Sequence, residues 1–238
     1  MRPYIVINGI SSKTISGLLI QSLPPISKPK VRTSVEEIDG RDGDIVTVLG
    51  YSAYDKEIQI GLYGEYDVDD VIDFFNTSGN IVFSNEPDKY YKFALYEQID
   101  LEKLLTFKTA KVKIHVQPFK YSDYETTINN DYADITSANI TVRNDGNIYS
   151  KPTISITGVG DISISLNGYQ IFKLALGSDE TTIIIDSEAM NAYDTSGNYL
   201  NRLVTGDYDD LRFKAGVNSL VVSGSITNVA IKNYSRWI

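Results

Sequence analysis

Ala110–Gln117 reads AKVKIHVQ, with Val112, Ile114 and Val116 alternating against Lys111, Lys113, His115 and Gln117. Successive side chains of a strand point to opposite faces, so this spacing describes a strand with one face buried and the other in water. The same period recurs on either side. Ile58, Ile60 and Leu62 repeat it within Glu57–Tyr63, and Tyr91, Phe93 and Leu95 within Tyr90–Glu97. Ile15–Ile20 and Ile45–Leu49 are shorter and more apolar candidate strands. Asp161–Leu174 (DISISLNGYQIFKL) alternates through Ile162, Ile164 and Leu166 and then meets Asn167-Gly168. Asn-Gly tolerates the positive φ angles of a type I′ turn, so this segment predicts a hairpin.

One stretch of the first half departs from period two. In Asp67–Ser78 (DVDDVIDFFNTS), Val68, Val71, Ile72 and Phe75 recur at helical spacing. Asp67 is the expected N-cap and Gly79 the expected stop. Asp69, Asp70 and Asp73 lie in the early turns, where the helix dipole favours anions, and their spacing fits no calcium loop.

Beyond residue 131, Asn, Thr, Ser and Asp become denser and short strands are expected at Asn139–Arg143, Thr153–Thr157, Thr181–Asp186, Leu211–Lys214, Ser219–Ser223 and Ile226–Ile231. Short strands at such intervals suggest a β-sandwich. The polar segment Tyr121–Ser137 is the natural boundary, giving two β-rich domains over residues 1–130 and 131–238. The fold class is mainly β.

Composition narrows the function. No cysteine is present, which excludes thiolate metal sites and cysteine nucleophiles, and the single histidine, His115, excludes sites that need two imidazoles. His115 itself falls on the polar face of its strand. A net charge of −9 argues against gripping nucleic acid through its phosphates. Seventeen tyrosines and eight phenylalanines suit broad contact surfaces in a β-rich protein. No apolar run is long enough to span a bilayer, and MRPYIVINGISS has no sustained apolar core of a signal peptide. Folding in a cytoplasm, without membrane insertion, is the expectation.

Catalytic motifs are missing. Gly158-Val159-Gly160 begins like a dinucleotide fingerprint, but Ser163 takes the third glycine's place and strands follow where a helix is needed. Asp207-Tyr208-Asp209-Asp210 offers oxygens for calcium, yet a turn explains it more simply. No two carboxylates are singled out as a glycosidase pair. Catalytic residues, metal ligands and cofactors are therefore all expected to be none.

Leu23–Asp44 (LPPISKPKVRTSVEEIDGRDGD) is less ordinary. Its prolines favour extended backbone. A basic stretch, Lys28, Lys30 and Arg32, precedes an acidic one, Glu36, Glu37 and Asp39, and Asp39-Gly40-Arg41-Asp42-Gly43 reads as a tight turn. Two readings fit: an arm that reaches a neighbouring subunit through opposite charges, or a flexible surface loop. In the first, the planar fork of Arg41 is free for a carboxylate.

The order of these pieces resembles a known family. The landmarks are Ile7-Asn8-Gly9-Ile10, Gly17-Leu18, the proline-bearing arm, Asp39 to Gly43, the strand Tyr54 to Ile60 and the helix. Gly79 to Ser84, Glu86 to Tyr91 and Gln117 to Tyr121 follow. In the second half come Asn144 to Asn147, Lys151 to Ile154, Gly158 to Gly168, Ile185 to Glu188 and Gly216 to Asn218. This pattern is similar to the distal tail (Dit) proteins of siphophages, the long-tailed, non-contractile bacteriophages.

The resemblance implies an N-terminal ring-forming domain like a tail-tube β-barrel or split barrel, with one helix and a long arm. It also implies a galectin-like C-terminal sandwich. The implied assembly is a homo-hexameric hub in the virion tail tip, put together in the host cytoplasm. Its implied partners are the major tail (tube) protein, the tail-associated tip protein and a receptor-binding protein. DNA and the tape measure would pass through a channel without specific binding. The arm becomes the ring-clasping element, with Lys28, Lys30, Arg32, Glu36, Glu37, Arg41 and Asp42 as intersubunit contacts. The alternative is a carbohydrate-binding module for the host surface, with Tyr169, Tyr193, Tyr199 and Tyr208 as candidate sugar platforms.

Overall fold

The alternating segments of the first half pair into antiparallel ladders. In a computed structural model that describes residues 2–95, 99 and 101–238, the chain divides into two units, Met1–Asp123 and Tyr124–Trp237. The first unit contains β1 (Ile5–Ile7), β2 (Ile10–Ser11), β3 (Leu18–Ser22), β4 (Val31–Glu37), β5 (Asp44–Tyr51) and β6 (Tyr54–Leu62). Helix α1 (Val68–Phe75), β7 (Gly79–Phe83), β8 (Lys89–Ala94), α2 (Leu101–Phe107) and β9 (Thr109–Ser122) complete it. One curled sheet runs β2-β1-β7-β8-β9-β6-β3, a half-barrel, while β4 and β5 form a separate two-stranded ladder.

The inward residues of the sheet are those the period picked out: Ile58, Ile60, Leu62, Val112, Ile114, Val116, Tyr91 and Phe93 are all buried in one core. Strand β8 ends at Ala94, and Tyr96 and Glu97 of the expected strand lie outside the described residues. Helix α1 presents Val71, Phe74 and Phe75 to that core. Asp67 caps it, its carboxylate accepting the Asp69 N–H at 2.9 Å.

The helix stop is not Gly79. The chain leaves the helix at Asn76, whose N–H bonds back to the Ile72 and Asp73 carbonyls. Gly79 instead opens β7 at φ +140°, where a Cβ would stand 2.2 Å from the Asn8 carboxamide. That carboxamide accepts from Asn80 N–H at 2.9 Å and ties β1 to β7. The expectation of one helix also needs correction, because α2 is a second. A seven-residue helix with Leu104 as its fully buried anchor carries too short a pattern to read.

The second unit holds β10 (Thr126–Asn144), β11 (Thr153–Leu166), β12 (Tyr169–Ala175), β13 (Thr181–Asp186), β14 (Asn191–Tyr193), β15 (Val204–Gly206) and β16 (Gly216–Asn233). The polar segment read as a boundary is mostly the start of β10. Several expected short strands are fused: Ser219–Ser223 and Ile226–Ile231 are one strand, as are Thr153–Thr157 and Asp161–Leu166. Leu211–Lys214 is not a strand, though Phe213 makes one isolated bridge to Ser150.

Bends turn these long strands into a sandwich. The first half of β11 pairs with β13 and its second half with β12. The ladder to β16 shifts register between Val159 and Ser163. At the bend, a Cβ on Gly158 would lie 2.3 Å from the Ser225 carbonyl, and one on Gly224 2.7 Å from the Asp161 carbonyl. Only glycine permits that approach. Strands that switch partners at such corners fold over a single core, here including Ile154, Ile156, Ile164, Phe172, Ile183, Val222 and Ile231. Asn167 and Gly168 take φ of 52° and 89°, the two positive values of a type I′ turn.

Candidate functional site

The arm begins where β3 ends, and its root is pinned. Pro24 and Pro29 are buried while Pro25 and Lys28 are exposed. Lys56 Nζ donates to the Pro25 carbonyl at 2.8 Å, and the Tyr54 hydroxyl donates to the Ser27 carbonyl at 3.3 Å. Ser52 N–H donates to the Lys30 carbonyl at 2.8 Å. Beyond these ties, β4 and β5 pair from Val31 opposite Tyr51 to Glu37 opposite Asp44, with a bulge between Arg32 and Thr33. Arg41 N–H closes the tip onto the Ile38 carbonyl at 3.1 Å.

This hairpin is exposed on both faces. Val35 sits directly opposite Val46, and Thr33 opposite Val48, which puts the three valines on one face. Their relative exposures are 54%, 59% and 65%, with Leu49 at 59% and Ile38 at 47% beside them. A two-stranded ladder with no covered face is marginal by itself. The Ile45–Leu49 run is visible in the sequence, but its solvent exposure is not.

The seven charged residues expected at the contact divide between the arm's two ends. Lys28, Lys30 and Arg32 lie at the root, Arg41 and Asp42 at the tip, and Glu36 and Glu37 on β4 beside it. All seven are exposed. Among the described residues none of them forms an ion pair. Glu37 faces Asp44 across the ladder, and like charges placed opposite each other destabilise a hairpin. With Asp39 and Asp42 adjacent, the tip is acidic around one guanidinium.

Beneath the root lies a cluster that sequence reading missed. Lys56 is only 4% exposed, and its ammonium lies 5.0 Å from the Tyr91 ring centre and 5.4 Å from that of Tyr54. Burial pushes this ammonium down to about 8, the nearby Glu86 carboxylate opposing the shift in part. Lys120 Nζ pairs with Glu86 at 2.7 Å, and the Tyr91 hydroxyl donates to Glu86 at 3.2 Å. Burial and the Glu86 charge push the Tyr91 phenol up. The alternation of β6 places Lys56 in phase with Ile58 and Ile60, whereas Lys111 and Lys113 fall on the outward phase of β9 and remain in water.

His115 is at the sheet's outer surface, as its strand face implies. Its Nδ1 lies 2.7 Å from Asp55 Oδ1, directly across the β6–β9 ladder. Lys113 contacts the same carboxylate at 3.1 Å, and Lys111 pairs with Glu57 at 2.7 Å. Hydrogen bonds from His115 and Lys113 hold the Asp55 carboxyl below the usual range.

In the second unit Asp207 caps a short turn by accepting from Asp209 N–H at 2.8 Å, and Asp209 is held by Arg212 and Lys151. Among the described residues no group of three or more His, Asp or Glu is placed to hold a metal ion. Gly158-Val159-Gly160 forms the β11 bend. The four candidate tyrosines do not converge: Tyr193 and Tyr199 bridge each other, Tyr208 packs edge-on against Phe172, and Tyr169 stands apart at 78% exposure. No described helix is long and apolar enough to cross a membrane.

No family model matches the chain. No curated protein matches it either. Among solved structures it is similar to the crystal structure of the SPP1 Dit protein, described as a paradigm of hub adsorption apparatus in Gram-positive infecting phages, at 17% identity and TM-score 0.70. That similarity covers 100% of both chains, so this protein has the Dit fold from end to end.

Proposed function

We propose that the chain is a structural, non-enzymatic hub of a phage tail tip, built as a hexameric ring. The observation that carries this reading is the full-length likeness to a hub protein of an adsorption apparatus. The exposed β4–β5 hairpin supports it. An unpaired acidic tip, a basic root and an apolar strip between them suit an arm laid on the next copy of the same chain. Such a contact is heterologous, and repeated around an axis it closes into a ring.

In this assembly residues 1–130 form the ring. The ring joins the last tube ring of the major tail protein to the tail-associated tip protein and carries a receptor-binding protein. The net charge of −9 suits a channel through which DNA and the tape measure slide, since a negative wall repels phosphate.

Negative-stain microscopy with light scattering tests the reading. Six-fold rings are expected, and they should dissociate when Val46 and Val48 are both changed to lysine. A protein that stays monomeric across the micromolar range overturns it.

A further inference from the structure

The hub reading leaves unused a cleft of about 580 Å³ in the second unit, walled by the β11–β12 hairpin and the segment around Asp209–Lys214. Its size lies within the usual range for small-molecule sites. Tyr169 stands at its rim with 78% of its surface in water. The backbone that carries this ring is well fixed. It pairs with Leu166 and follows the Asn167-Gly168 turn, which is held by an Asn167 carboxamide that accepts from Ser219 N–H at 3.0 Å and donates to Asn218 at 3.1 Å. The far wall is Tyr149, with the Arg212 guanidinium stacked 4.7 Å from its ring centre and held there by Asp209.

Polar groups around the cleft await partners. Gln170, Asp210 and Lys214 line it, and among the described residues their side chains form no hydrogen bond or ion pair. Arg212 Nε is buried with no hydrogen-bond partner. The charged residues of the lining, Asp209 and Asp210 against Arg212 and Lys214, cancel. A phosphate or sulfate ligand calls for an excess of cations, which this lining lacks.

We propose that this cleft binds a neutral saccharide. A pyranose offers an apolar C–H face for the Tyr169 ring and hydroxyls that both donate and accept. The lining provides the matching set: a carboxylate acceptor, an ammonium donor and a carboxamide that does both. Every residue of the site belongs to one unit of one chain, so its lining is complete without a second copy.

The test applies the full-length protein to an array of neutral oligosaccharides built from glucose, galactose and N-acetylhexosamines, beside sialylated and sulfated glycans. The strongest binder is then titrated by calorimetry. Saturable binding of a neutral glycan is expected, weakened about tenfold by Tyr169→Ala. Tyr169→Phe should retain it, Asp210→Ala should weaken it, and Tyr199→Ala, at an exposed tyrosine outside the cleft, should leave it unchanged. Absence of any neutral binder, binding of anionic glycans alone, or binding that survives Tyr169→Ala overturns the proposal. None of these outcomes bears on whether rings form, which microscopy reads separately.

Discussion

Changing Lys56 to methionine separates the energetic parts of the cluster at the arm's root. In the folded protein this ammonium titrates at about 8, against 10.5 for a free lysine. Between those values the unfolded chain binds more protons than the folded one, so stability rises with pH across the window. Below about pH 8 the folded protein carries the full cost of burying the charge, about 3 kcal/mol from the size of the shift. From pH 7 to pH 9.5 the recovered stability works out to about 2 kcal/mol. Tyr54 and Tyr91, raised by the same burial, add the opposite slope only above about pH 10. At pH 7 the methionine variant escapes the burial cost. It loses the charged hydrogen bond to Pro25, worth about 1.5–3 kcal/mol, and ring contacts worth about 1 kcal/mol. These terms nearly offset, so its stability at pH 7 should lie within about 1 kcal/mol of the wild type. Urea unfolding of both proteins from pH 7 to pH 9.5 checks this: the wild type should climb and the variant stay flat. Parallel profiles would refute the assignment of the slope to Lys56.

Other substitutions probe separate features. Glu86→Ala leaves the Lys120 and Lys56 ammoniums buried together without their shared carboxylate and should cost about 3–5 kcal/mol in urea unfolding; a loss under about 1 kcal/mol would mean that water reaches the cluster. Gly224→Val forces a side chain against the Asp161 carbonyl at φ +140° and should cost about 2–4 kcal/mol, read as a lowered Tm. Asn167→Ala removes the bonds to Ser219 and Asn218 from the hairpin turn and should cost about 1–3 kcal/mol, checked by the same melt. Changing Val46 and Val48 together to lysine should leave monomer stability within about 1 kcal/mol, because both are exposed, while removing ring assembly in light scattering.

Local signals in the sequence predicted much of this molecule correctly. The period-two faces of β6, β8 and β9 are buried as the alternation requires, because strand geometry sends alternate side chains to opposite sides whatever the partner. Asp67 caps α1 and Asn167-Gly168 makes its turn for similarly local reasons, a side-chain oxygen within reach of an N–H and two residues that tolerate positive φ. The proline arm and its seven charges were also visible, though their pairing into a two-stranded hairpin was not.

What the sequence could not show depends on residues distant along the chain. Strands β11 and β16 looked like pairs of short strands because their bends carry glycines, and glycine marks a turn as readily as a bulge. Only the carbonyl facing each glycine across the ladder distinguishes the two. Phe74 and α2 were missed because packing against a curved sheet, rather than helical period, decides what they bury. Lys56 shares the inward phase of Ile58, Ile60 and Leu62 on β6, whereas Lys113 lies on the outward phase of β9. Alternation therefore sends Lys56 inward, but the rings and carbonyl that receive its ammonium, from Tyr91, Phe83 and the arm's root, come from elsewhere in the chain. Alternation alone determined that this protein is built of strands. Tertiary structure decided which strand face stays open on the arm and which groups surround the inward-facing Lys56, because those neighbours are brought together only by folding.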